Sequence, residues 1–250
     1  MNFDAADEAS MSDAFEAITK MRLYIIGDIH GRADLLDRMV EKIQNDVAQY
    51  GEVESLTVTL GDYVDRGPDS RGVLERLSRN PFPMPYVGLR GNHEALMEAF
   101  LKDASIANHW RRLGGLETLH SYGVPIHELM VGKGFEAAAR ALKAAIPQSH
   151  LRFLSSLESY VTIGKLFLCH AGVRPDVPLE RQKVEDLMWI RDEFLKSEVE
   201  FGKIIIHGHT PMEWPEVRRN RVNIDTGAFS TGRLTCLVID GEQSRFLYTG

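Results

Sequence analysis

Five short fragments constrain this chain more than any bulk property does. The first, Tyr24-Ile25-Ile26-Gly27-Asp28-Ile29-His30-Gly31-Arg32, is an apolar run that stops at glycine and delivers an acid and a histidine two positions apart. In extended backbone that spacing points both side chains to the same side. Gly27 and Gly31 let the chain turn sharply and approach a ligand closely. Four further fragments repeat the design: Leu60-Gly61-Asp62-Tyr63-Val64-Asp65-Arg66-Gly67, Leu89-Arg90-Gly91-Asn92-His93-Glu94, Leu168-Cys169-His170-Ala171-Gly172 and Ile206-His207-Gly208-His209-Thr210. Each sits where a buried strand would meet a loop. Converging strand ends would bring Asp, His and Asn to one place, in keeping with the rule that α/β sites lie beyond the carboxyl ends of strands. That mix of oxygen and imidazole donors suits divalent Mn, Fe or Zn better than Ca or Mg.

The residues between the fragments read as a β-α-β-α-β series. Leu36, Met39, Val40, Ile43 and Val47 fall at helical spacing within residues 33–49. Residues 56–60 form a second strand, and Pro68-Asp69 opens a helix carrying Val73, Leu74 and Leu77. Pro81, Pro83 and Pro85 make a loop before a strand at residues 86–89. Such a series favours a parallel sheet with helices outside. Residues 95–150 are mainly helical, interrupted by Trp110-Arg111-Arg112-Leu113-Gly114-Gly115 and Thr118-Leu119-His120-Ser121-Tyr122-Gly123, and suit a cap over a site. Residues 161–168 return to strand, 180–196 to helix or turn-helix, and 203–206 and 222–224 to strand. Residues 234–239 and 245–248 close as a β-hairpin.

Taken in order, GDIHG, GDYVDRG, LRGNHE, HAG and GHT resemble the phosphoprotein phosphatase family of calcineurin-like metallophosphoesterases, in its bacterial serine/threonine phosphatase form. The resemblance runs from about residue 21 to about residue 240. It implies an α/β fold in which two mixed β-sheets pack as a sandwich flanked by helices. It also implies one catalytic domain over residues 21–250 with the helical cap inserted at about 95–150, behind a flexible acidic segment at 1–20.

Carried over residue by residue, the family's metal ligands fall on Asp28 and His30 for one ion and on Asn92, His170 and His209 for a second, with Asp62 bridging. His209 is preferred to His207 because it is the histidine of the Gly-His-Thr match. The cofactor implied is two divalent ions, Mn foremost, with Fe or Zn as alternatives. His93 is the expected general acid, since histidine titrates near neutral pH. Asp65 is its orienting partner. Arg66 and Arg191 are the expected phosphate clamps, because guanidinium meets phosphate bidentately.

The implied activity is phosphomonoester hydrolysis on a phosphorylated protein or peptide, by direct in-line attack of metal-activated water. A symmetrical bis(5'-nucleosyl)-tetraphosphatase on the same scaffold is the alternative, and a phosphopeptide-binding module without turnover is a third reading. Where eukaryotic members carry a tyrosine-containing loop, this chain has Asp225-Thr226-Gly227-Ala228-Phe229, so the regulation of those enzymes is not carried over.

A net charge of −7 argues against nucleic acid as a general partner. Cys169 and Cys236 are the only cysteines, which fits a reducing cytoplasm rather than a disulfide framework. There is no signal-peptide pattern and no apolar run near the roughly 20 residues of a membrane span.

Overall fold

The structure, a computed structural model, describes residues 21–250; the expectation for residues 1–20 lies outside them. Strand β1 (Arg22–Ile26) is parallel to β2 (Ser55–Thr59), which is parallel to β3 (Tyr86–Gly88). Helices α1 (Ala33–Tyr50) and α2 (Ser70–Leu77) make the crossovers. The closing hairpin, β9 (Thr235–Asp240) and β10 (Gln243–Tyr248), joins antiparallel at β1, giving the order β10-β9-β1-β2-β3.

A second sheet runs β4 (Tyr160–Ile163), β5 (Leu166–Cys169), β6 (Ile204–His207), β8 (Arg221–Asn223) and β7 (Glu216–Val217). The single strand expected at 161–168 is a tight hairpin instead. Gly164 takes φ +55 and reverses the chain, so β4 and β5 pair antiparallel. Of the two readings of 180–196, a helix or a turn-helix, the segment follows the second, as three short pieces, Leu179–Arg181, Val184–Trp189 and Asp192–Leu195, and Arg191 adopts a non-helical φ of −134° and ψ of −102°.

All five residues of β1 are buried because both faces of its sheet are covered. Leu23 and Ile25 face the second sheet, meeting Leu166, Leu168, Ile206 and Val222. Tyr24 and Ile26 face the helices, with Leu36, Met39 and Ile43 of α1. On the far side, Phe167 and Ile205 are covered by Leu187, Ile190 and Phe194 of the short helices. Each fully buried aliphatic side chain contributes about 1.5–3 kcal/mol relative to exposure. The result is helices, sheet, sheet, helices.

Between β3 and β4 the chain is almost wholly helical. It includes α3 (Asn92–Lys102), α4 (Gly115–Ser121), α5 (Phe135–Ala145) and α6 (Gln148–Ser155). Phe100, Trp110, Leu119 and Leu142 bury this insertion on the helical side of the first sheet.

Candidate metal centre

The carboxyl ends of β1, β2, β3, β5 and β6 meet along one edge of the sandwich, and the five sequence fragments begin there. Of the seven described non-glycine residues with positive φ, five are candidate site residues: His30, Asp62, Asp65, Arg66 and His209. Left-handed backbone in such residues is unfavourable and concentrates where the surrounding structure imposes it. Gly61 shows why small residues are needed here. At φ +105, a Cβ would lie 2.6 Å from the Gly91 nitrogen and 3.0 Å from His170 Nδ1.

Asp62 occupies the middle of the cluster. Its Oδ2 lies 3.4 Å from His30 Nε2, and its Oδ1 lies 3.4 Å from His170 Nε2. Two donor triads share it, His30–Asp62–His93 and Asp62–His170–His209, with the donor atoms of each within 4.8 Å of one another. Asn92 Oδ1 is 3.0 Å from His170 Nε2, and His209 Nδ1 is 3.2 Å from the same nitrogen. Asp28 accepts the His209 backbone N–H on Oδ2 at 3.1 Å. The ring tautomers are oriented from behind. His30 Nδ1 donates to the Val64 carbonyl and His170 Nδ1 to the Leu60 carbonyl, each at 2.9 Å. Both Nε2 atoms therefore face the cluster, an arrangement that suits metal ligation.

Three observations fit this pocket to cations. Asp28 Oδ1, His30 Nε2 and His209 Nε2 are buried with no hydrogen-bond partner. Burial pushes the His30 imidazole down to about 3, and burial together with His170 pushes His209 down to about 2, so both are neutral lone-pair donors. His170 behaves oppositely. Burial disfavours its charge, yet Asp62 and Asp28 outweigh that and raise it to about 10. The acids thus draw positive charge to this point, and a divalent cation meets the same demand with release of the proton.

His93 and Asp65 stand beside the cluster. His93 Nδ1 donates to Asp65 Oδ2 at 2.6 Å, and its Nε2 lies 3.8 Å from Asp62 Oδ2. Burial works against the charged ring, but Asp62 and Asp65 hold it above the ordinary histidine range. Arg66 Nη2 reaches His93 Nε2 at 3.3 Å, and its guanidinium lies 4.9 Å from the Phe229 ring centre. Arg191 Nη2 lies 3.4 Å from the His209 carbonyl. All ten residues singled out from the sequence are therefore brought to one edge. His207 is set apart; its ring packs edge-on against Phe194 at 5.0 Å.

Four neighbours were not read as part of the site. Trp110 Nε1 and Thr118 Oγ1 both donate to Asp65. Phe229 packs edge-on to His30 at 5.5 Å. Asp225, whose carboxyl burial pushes up to about 6, adds a further acid within the field of Asp28. A glycine-rich turn and a lone Thr or Phe carry no motif of their own, so only the fold reveals these contacts.

A double-sheet α/β sandwich with two donor triads sharing one carboxylate defines a metallophosphoesterase. This chain belongs to the calcineurin-like phosphoesterase family, whose profile matches residues 21–232. It is similar to the asymmetrical bis(5'-nucleosyl)-tetraphosphatase PrpE of Anoxybacillus flavithermus, at 28% identity over 85% of this chain and 88% of that protein. It is also similar to serine/threonine-protein phosphatase 2 of Salmonella typhimurium, at 25% identity over 85% of this chain and 90% of that protein. Among solved structures, one provisionally named a diadenosine tetraphosphatase superposes with a TM-score of 0.62 at 20% identity, covering 93% of this chain and 95% of that one.

Proposed function

We propose that this protein is a metal-dependent serine/threonine protein phosphatase. The observation that carries the reading is the 2.6 Å His93–Asp65 pair set against the Asp62-centred donor cluster. Two divalent ions, held by Asp28 and His30, by Asn92, His170 and His209, and jointly by Asp62, would neutralise phosphoryl oxygens and bring the pKa of bound water towards about 7. Manganese is the ion we propose, with iron or zinc compatible with the same donors.

The chain's own residues supply the rest. Arg66, at His93, and Arg191, at the His209 carbonyl, bind the phosphoryl oxygens while water attacks in line. Water oxygen bonds to phosphorus as the bond to the serine or threonine oxygen breaks. That alkoxide is a poor leaving group, and His93 protonates it from Nε2 while Asp65 holds Nδ1–H and stabilises the imidazolium. No enzyme nucleophile is needed. Burial pushes the Cys169 thiol up, away from the thiolate that nucleophilic attack would require.

A second reading, hydrolysis of dinucleoside tetraphosphates, is favoured by one feature. A cleft of about 390 Å³ beside Arg66 is lined by Arg111, Arg112, Gly114 and Phe229. Arg112 is exposed there and forms no ion pair among the described residues. Successive guanidinium groups suit an extended phosphate chain.

Steady-state hydrolysis of a phosphoserine peptide and of diadenosine tetraphosphate, each with Mn and with chelator, separates the two. A chelator-sensitive preference for the peptide supports the phosphatase. A preference for the dinucleotide installs the second reading, and its products (two ADP, or ATP and AMP) tell symmetrical from asymmetrical cleavage. Turnover of neither substrate by metal-loaded protein overturns both.

A further inference from the structure

The helical insertion does more than roof the site. We propose that Trp110 and Thr118, which it contributes, are positioning residues that hold Asp65 and through it aim His93 at the leaving group. The inference rests on His93 acting as the proton donor.

Asp65 is wholly buried, and its carboxylate is fully engaged. Oδ2 accepts from His93 Nδ1 at 2.6 Å and from the Trp110 indole N–H at 2.8 Å. Oδ1 accepts from Thr118 Oγ1 at 2.6 Å. Since that contact takes the one hydroxyl proton of Thr118, the 2.9 Å contact between Ser70 and Thr118 has Ser70 as donor. The Asp65 backbone N–H in turn points at Ser70 Oγ and Thr118 Oγ1, each at 2.9 Å. Both hydroxyl protons in this small network have a single consistent direction, and the Asp65 N–H is shared between the two hydroxyl oxygens.

The network also opposes strain. Asp65 and Arg66 are consecutive left-handed residues, at φ +73 and +67. For non-glycine residues such backbone costs about 1–3 kcal/mol each and persists only where its surroundings impose it. The insertion supplies that constraint at both positions. Trp110 and Thr118 grip the Asp65 side chain, while the Gly114 carbonyl accepts the Arg66 N–H at 3.2 Å. Gly114 is itself at φ +103, and a Cβ there would lie 2.5 Å from the Arg66 nitrogen. Gly115 lies flat on the Trp110 ring, where a Cβ would come within 2.5 Å of Cδ2. Trp110 is anchored from behind by Phe100, with ring centres 4.8 Å apart. The Trp110–Thr118 segment therefore holds both the partner of the acid and the neighbouring phosphate clamp.

A carboxylate with only His93 as partner would be free to rotate, and the imidazole with it. Orientation of this kind affects the proton-transfer step and leaves metal loading alone. The test uses Trp110→Phe, which keeps an aromatic ring, though a smaller one, and removes the donor, Thr118→Val, which is nearly isosteric and removes the hydroxyl, and Thr118→Ser, which restores it. His93→Asn is run in parallel. Each is assayed for bound metal, and for kcat and KM on a phosphoserine peptide and on p-nitrophenyl phosphate, whose leaving group needs no proton.

The expected result for Trp110→Phe and Thr118→Val is a kcat loss of roughly tenfold on the peptide, a fraction of the ~10²–10⁴ that an acid supplies. Loss on the aryl ester stays below about threefold by the same reasoning, with KM and metal content unchanged. Thr118→Ser recovers most of the peptide rate. Equal losses on both substrates, loss of metal, or no loss at all overturns the inference. If His93→Asn shows the leaving-group selectivity and the other two variants do not, the inference fails alone. If His93→Asn lacks it too, the proton-donor assignment falls with it.

Discussion

Glu94 Oε2 accepts the backbone N–H of Asp62 at 2.9 Å, so the backbone that carries the central carboxylate of the cluster is held by another acid. The same Glu94 carboxylate accepts the backbone N–H groups of Tyr63 at 2.7 Å, Gly91 at 3.0 Å and Val64 at 3.2 Å. It clamps the loop after β2 onto the start of α3, which carries Asn92 and His93.

Glu94→Gln therefore replaces one carboxylate oxygen, which accepts two of these N–H groups, with an N–H₂ group facing those donors. A buried donor left unsatisfied costs about 1–3 kcal/mol, so a fall in Tm of roughly 5–10 °C is expected with weaker metal retention. Thermal unfolding of the metal-loaded variant checks it, and an unchanged Tm and metal content would exclude the clamp.

Asp62→Asn removes the one charge that both donor triads share. The variant should fail to hold two ions. Metal analysis after extensive dialysis gives the answer, and two tightly bound ions per chain would rule out a bridging role.

His93→Asn should keep both ions: although His93 belongs to one donor triad, its Nδ1 is committed to Asp65, and Asp28, His30, Asp62, Asn92, His170 and His209 remain to hold them. Hydrolysis of an alkyl phosphate should slow by ~10²–10⁴-fold. A loss of only a few-fold on that substrate would show that His93 is not the proton donor.

His207 yields a pH prediction. Burial lowers its folded-state value from 6.5 to about 3, so the unfolded chain binds more protons than the folded one between those limits. The group's contribution is complete above pH 6.5 and is lost as pH falls, by about 1.4 kcal/mol per pH unit within the window. His207→Gln should flatten the decline of unfolding free energy between pH 6.5 and 5 in denaturant titrations. Parallel slopes in wild type and variant would refute it.

The site was legible in the sequence to the extent that local signals encode it. Asp28 and His30 follow an apolar run and a glycine, and so do Asp62 and the Asn92-His93 pair. His209 stands in one of the donor triads and His207 does not. Less was legible where one residue decides local geometry. The left-handed Gly164 splits one apolar run into β4 and β5, and the non-helical backbone of Arg191 separates two short helices within 180–196.

The sequence by itself determined which side chains stand at the strand ends, because strand periodicity and glycine turns are properties of adjacent residues. Tertiary structure alone decided who holds them. Trp110 and Thr118 reach Asp65 across 45 and 53 residues, and Glu94 reaches Asp62 across 32. Such contacts depend on how the insertion packs on the first sheet, and no local pattern of residues specifies that packing.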